Sequence, residues 1–111
     1  MIRPFARLVV TVPGTLVRAT SQEADPAKHI MCHGVMFQVL PTNVGRVYIG
    51  TSALNRAALT NCFAWLPVPT INQAPTFSAA LTIAPNGLAV GQYYVDADNG
   101  GDGVIMTVLV A

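Results

Sequence analysis

Three groups of side chains in this chain have types and spacing that ligand binding or catalysis can use. The first is Asp96-Ala97-Asp98-Asn99-Gly100-Gly101-Asp102-Gly103, which begins as a calcium-binding loop does. The twelve-residue calcium loop closes with a bidentate acid; here that position is Thr107, and both flanks read as strands. Asn-Gly and Asp-Gly pairs are also what a tight turn between strands needs, so a plain turn is expected, with a weak carboxylate-lined cation site as the alternative. The second group is His29, Cys32, His33 and Cys62. Adjacent Cys32 and His33 would point to opposite faces of a strand, so they could not both reach one zinc ion without a bulge. A thiolate activated by either histidine would be a nucleophile, yet no recognisable oxyanion hole or orienting acid accompanies it. The third group is Tyr48, Trp65, Tyr93 and Tyr94, rings of the kind that line sugar-binding faces of β-sandwich modules, or else pack in a core or an interface. No cofactor and no enzymatic activity are expected from these sets.

The elements that would carry them are short strands. Val35 to Leu40 is an apolar run rich in β-branched and aromatic residues, Pro41-Thr42-Asn43-Val44-Gly45 supplies turn formers, and Arg46 to Gly50 is a second strand-like run. This stretch, Gly34 to Leu54, predicts a β-hairpin. Ahead of it, Phe5 to Val12 places Leu8, Val10 and Val12 on one face, Pro13-Gly14-Thr15 turns the chain, and Leu16 to Thr20 reads as the returning strand. Ser21 to Lys28, the most polar window, predicts a surface loop.

Beyond the hairpin, Thr51 to Leu59 reads as an irregular loop in preference to a helical turn, because it is short and its apolar spacing makes no helical face. Cys62 to Leu66 predicts a strand, and Pro67, Pro69 and Pro75 put the segment after it at a sheet edge or on the surface. Thr76 to Ile83 alternates most cleanly, and Pro85-Asn86-Gly87 predicts a turn. Gln92 to Asp96 leads to the loop Ala97 to Gly103. Val104 to Val110 is apolar on both faces and predicts cover on both sides. The fold class expected is all-β: an antiparallel β-sandwich, jelly-roll-like, or a small barrel, with about eight short strands in a single domain spanning residues 1–111.

Composition narrows the function classes. Of 111 residues, 52% are hydrophobic and only 10% are charged, against about 25% in an average soluble domain; mean hydropathy is +0.49. Pro, Gly, Asn or charge interrupts every apolar run before the roughly 20 residues a membrane helix needs, so no membrane partner is expected. Six basic and five acidic residues without a Lys/Arg cluster give no footprint for nucleic acid. No secretory signal pattern opens the sequence, so Cys32 and Cys62 are expected as reduced thiols. The class left is a subunit of an assembly, whose apolar outer surfaces are covered by other subunits. Ile2, Phe5, Leu8, Val10, Val104, Met106, Val108 and Val110 are the candidate interface residues, because they lie in the apolar segments Ile2 to Val12 and Val104 to Val110.

The run Val39-Leu40-Pro41-Thr42-Asn43-Val44-Gly45-Arg46-Val47-Tyr48-Ile49-Gly50, followed by Thr51-Ser52-Ala53-Leu54-Asn55-Arg56, resembles small virion proteins of tailed bacteriophages. Leu66-Pro67-Val68-Pro69 with Pro75-Thr76-Phe77-Ser78-Ala79, and Val95-Asp96-Ala97-Asp98 with Gly101-Asp102-Gly103-Val104, are similar to the same group in the same order. The resemblance covers about two-thirds of the chain, from Met36 onward. It implies a β-rich structural component of the virion. The component expected first is a capsid decoration or cement protein: a homotrimer made in the host cytoplasm, displayed on the capsid surface and bound to the major capsid protein. A tail, neck or baseplate component is the alternative, and a carbohydrate-binding module a third reading from a different class.

Overall fold

β-branched and aromatic residues recur in the strand segments, with turn-forming Gly, Asn, Asp and Pro between them, and among the described residues the regular structure is strand apart from one 3₁₀ turn at Val90–Gln92. The computed structural model describes residues 2–25, 31–68 and 79–109, with the side chains of residues 2, 3, 79–86 and 88 excepted. Among these residues are eight strands: β1 (Ile2–Val9), β2 (Val17–Arg18), β3 (Met31–Val39), β4 (Val47–Asn55), β5 (Thr60–Leu66), β6 (Ala79–Ala89), β7 (Tyr94–Ala97) and β8 (Gly103–Leu109). They form two four-stranded antiparallel sheets, ordered β1-β8-β3-β6 and β2-β7-β4-β5. The pairings β1·β8, β2·β7, β3·β6 and β4·β5 nest inside one another, as if a single long hairpin had been wrapped into a sandwich. This is jelly-roll connectivity. The two sheets face each other as a sandwich rather than closing into a barrel.

The inward faces carry the core. Leu8, Val10, Val35, Phe37, Val104, Met106 and Val108 from one side meet Val47, Ile49, Leu66, Val95 and Ala97 from the other. Each of the larger side chains contributes about 1.5–3 kcal/mol by leaving water. Tyr93 joins them, edge-on to Phe37 with ring centroids 5.6 Å apart.

Nested pairing overturns several sequence expectations, because, β4 and β5 apart, strand runs that follow each other in the chain lie in different sheets. Gly34 to Leu54 is not a hairpin, because β3 pairs with β6 and β8 while β4 pairs with β5 and β7. Leu40–Arg46 instead arches from one sheet to the other. Likewise β2 does not return along β1; its two residues pair with β7. The Asp98–Asp102 turn crosses between sheets rather than closing a hairpin. Pro85-Asn86-Gly87 does not reverse the chain: β6 runs through it, and His33 alone on β3 opposes residues 84–87. An edge strand tolerates such a bulge, proline included, and Gly87 takes the positive φ of 85° that it requires. Thr51 to Leu59 is strand as far as Asn55, then a turn. Ser21 to Asp25 are exposed as expected; residues 26–28, His29 and the Thr76 to Ser78 part of the alternating segment lie outside the described residues.

The candidate interface residues are corrected too. Leu8, Val10, Val104 and Met106 are 0% exposed and Val108 1%, so they fill the protomer's own core and cannot form a subunit contact. Phe5 packs half-buried against that core. Ile2 pairs with Leu109 through the backbone, and its side chain, like Val110, lies outside the described residues. On the other face of β8, Ile105 is exposed while Thr107 and Leu109 are half-buried, so core cover exists on one face only.

The crossings are clasped to each other. Asn43, buried at the top of the β3–β4 arch, donates from Nδ2 to the Gly103 carbonyl (2.8 Å) and accepts at Oδ1 from the Gly103 N–H (2.9 Å). Asp102, equally buried in the β7–β8 crossing, accepts from the N–H groups of Val44 (2.9 Å) and Gly45 (2.7 Å). Removing one partner of a buried hydrogen bond costs the desolvation of the group left behind. Asn43→Ala is therefore expected to lower unfolding stability by about 2–3 kcal/mol in urea titrations, whereas Val44→Ser beside it, on a side chain 74% exposed, should change it by less than about 0.5 kcal/mol.

Candidate functional site

Strand alternation puts Val47 and Ile49 of β4 into the core, so Tyr48 between them points out of the sandwich. Its direct partners are Trp65 on β5 and Asp96 on β7, making one row, Trp65–Tyr48–Asp96, across the outer face of three strands. Outward-facing residues are ordinarily solvated, yet Tyr48 is 6% and Asp96 2% exposed. The cover comes from the end of the β4–β5 hairpin, which folds back over the sheet and brings Arg56 onto Asp96 and Asp98. Gly50 is the fold point, where a Cβ would overlap the Asn61 carbonyl oxygen and press on Leu54. At the tip, Asn55 Oδ1 accepts from the N–H groups of Ala57 and Ala58, both at 3.1 Å. Leu59 and Asn61 then take positive φ values of 55° and 54°. Left-handed backbone is unremarkable for Asn but costs a leucine about 1–2 kcal/mol.

Charge is arranged around Arg56. Its Nε lies 3.3 Å from Asp96 Oδ2 and its Nη1 3.1 Å from Asp98 Oδ1. Asp96 also accepts from the Gly14 N–H (2.9 Å) and its own neighbour's, Ala97 (2.8 Å), so a buried carboxylate is satisfied by two amides and a guanidinium. Tyr48 donates its hydroxyl to Asp98 Oδ2 at 3.2 Å. Burial first, and then the Asp98 carboxylate, push the Tyr48 phenol above its ordinary value, with Arg46 pulling weakly the other way. The Arg46 guanidinium lies over the Trp65 indole, 4.7 Å from the ring centroid, a cation–π stack. Arg46, Tyr48, Arg56, Leu59, Trp65 and Asp98 line an open cleft of about 300 Å³. It presents fixed donors, a half-exposed carboxylate and an aromatic surface, the equipment of a recognition site.

Of the aromatic residues singled out from sequence, the structure joins Tyr48 and Trp65. Tyr94 sits one row further on, paired with Gly50 and Arg18, with the Arg18 guanidinium 5.8 Å from its ring. Tyr93 is core. Of the histidine and cysteine set, His29 lies outside the described residues, Cys32 is buried in the β1-β8-β3-β6 sheet, Cys62 lies in the other, and the two thiols are free. Burial raises the Cys32 thiol above its ordinary value. Among the described residues no group of three or more His, Cys, Asp or Glu could hold a metal ion, and the acids of the Asp96 to Gly103 loop are spent on Arg56, Tyr48 and backbone amides. Sequence reasoning missed Arg46 and Arg56. Arg46 shares parity, hence a face, with Tyr48, a signal that alternation alone carries; Arg56 reaches the site only through the fold-back of the hairpin.

No family model, no curated protein and no solved structure matches this chain. No helix among the described residues is long and apolar enough to cross a membrane.

A phenol whose folded-state pKa is raised contributes stability that is complete below its unfolded value, about 10, and lost as pH rises through the folded value. Wild-type stability is therefore expected to fall as pH climbs above about 10, and Tyr48→Phe should fall less steeply over that same range. Urea unfolding at graded alkaline pH checks this; identical slopes would show that Tyr48 ionises as freely in the folded protein as in the unfolded chain.

Proposed function

We propose that this chain is a capsid decoration or cement protein of a tailed bacteriophage, bound to the outer shell and bridging major capsid subunits. The observation that carries the reading is apolar surface on a chain with little charge. Val44 is 74% exposed, Phe63 59%, Val12 58%, Met31 55% and Leu59 52%, while only 10% of residues are charged. Single exposed apolar side chains are ordinary, but together with so little surface charge they support contacts with other subunits wherever they join into a patch. The resemblance of Met36 onward to small virion proteins supports the same reading, and jelly-roll sandwiches are a recurrent architecture among capsid proteins. Self-association, as a homotrimer, would use exposed residues away from the Arg46–Trp65 cleft, rather than the core positions of β1 and β8. Val12 and Val44 are suited to it because their two loops converge: Gly100 packs on the Thr11 carbonyl, and Gly45 on Asp98 and Asn99.

The mechanism is thermodynamic linkage. A protein that binds the assembled shell and not its free subunits stabilises the shell by mass action, and many copies act together against internal pressure. The same composition would serve a tail, neck or baseplate part, which differs in copy number.

A count of this chain in purified particles relative to the major capsid protein tests the proposal. A ratio near one to one is expected. A few copies per particle would assign the chain to the tail or neck, and absence from particles would overturn every virion reading.

A further inference from the structure

The cleft on the outer face of the β2-β7-β4-β5 sheet has a chemistry that shell attachment does not use. We infer that it is a binding site for an acidic saccharide, a pyranoside bearing a carboxylate. Such a site would work wherever the protein sits in a particle, because the cleft lies within a single chain.

Three features argue for it. Trp65 remains 47% exposed with Arg46 stacked on it, and a half-bare indole is the surface against which the C–H face of a sugar ring packs. Asp98, itself exposed, accepts one bond from Arg56 and one from Tyr48. An ionised carboxylate has about four acceptor positions, so Asp98 has capacity left for a pair of hydroxyls. Finally, the two arginines are in different states. Arg56 is neutralised by Asp96 and Asp98, which fix it as an oriented donor. Arg46 makes no ion pair with a carboxylate among the described residues; its charge balances the extra carboxylate of the Arg56 group, and its guanidinium keeps a free donor edge that can take a ligand carboxylate through two parallel bonds. A neutral sugar would leave that charge unused. A phosphate would gain it but would lie against Asp98 with no hydroxyls to offer. The volume, about 300 Å³, is at the small end of ligand sites, roughly 300–1,000 Å³, which suits one or two sugar rings. Leu59, 52% exposed and held at a positive φ, forms an apolar rim; strain of this kind concentrates at binding sites.

Because Trp65 is the only tryptophan, intrinsic fluorescence reports on the cleft alone. The isolated protein is titrated with methyl glucuronide, methyl glucoside and inorganic phosphate. A saturable change is expected with the glucuronide at concentrations on the order of 1 mM, with the glucoside at least about tenfold weaker, each tenfold step being what loss of one charged contact produces. Arg46→Gln should weaken glucuronide binding by a similar factor while shifting thermal unfolding by no more than a few degrees, since the side chain is exposed and its stack on Trp65 is a weak surface contact. Saturation-transfer NMR on Trp65→Phe, where fluorescence is lost, should show a weakened contact to the sugar. Equal binding of glucoside and glucuronide, tighter binding of phosphate, no saturable change with any of the three, or an Arg46→Gln variant that binds as wild type would each overturn the inference.

Discussion

Two side chains, Asn43 and Asp102, hold two of the places where the chain passes from one sheet to the other, the β3–β4 and β7–β8 crossings, and the arrangement of the strands on either side depends on them. A sandwich built by nested pairing has to cross between layers repeatedly, and each crossing leaves backbone N–H and C=O groups without a ladder to satisfy them. Asn43 supplies a donor and an acceptor to the single residue Gly103, while Asp102 returns the service to Val44 and Gly45. Each crossing thus satisfies the other's backbone. Gly103 is confined to glycine by the same arrangement, since a Cβ there would overlap the carbonyl of Leu8 on β1. Core packing supplies most of the burial energy, but it does not discriminate between a hairpin and an arch at residues 40–46; the clasp does.

That distinction explains what could be read from the amino-acid order. Most strand segments were legible, because alternation and turn residues are local properties: β5 and β8 lie within a residue or two of where the apolar runs place them. Sheet membership was not. Pro41 to Gly45 has the residues of a hairpin turn, and nothing within it announces that Asn43 will bond to Gly103, sixty residues away. For the same reason Leu8, Val10, Met106 and Val108 looked like surplus apolar surface. β1 and β8 are partners in one sheet, and their inward faces are ordinary core. The true surplus lies mostly on loops and on β5, as single residues such as Val44 and Phe63 that no periodicity marks.

The candidate site divides along the same line. Tyr48 and Trp65 could be named as a possible aromatic face, and their direct pairing is a consequence of antiparallel register. The charged half depends on a fold-back at Gly50 that carries Arg56 to carboxylates about forty residues further along the chain. An outer sheet face that would otherwise be solvated thereby acquires a second layer of polar structure. Tyr48 is buried there although it faces away from the hydrophobic core. The molecule has an apolar interior between its sheets and a smaller ionic one outside them.

Nested pairing has a further consequence, in time rather than in space. β1 takes its ladder bonds from β8, and β2 from β7, so the earliest strands to leave a ribosome have no partner until the last have been made. The innermost pair, β4 and β5, is separated by a four-residue turn and can close first. From this topology, folding is expected to proceed outward by successively longer loop closures, the slow regime of high contact order. Until it finishes, Leu8 and Val10 stay in water as part of an unpaired apolar strand, open to association with other nascent chains. A chain wound in this way is made from one end and completed from the middle.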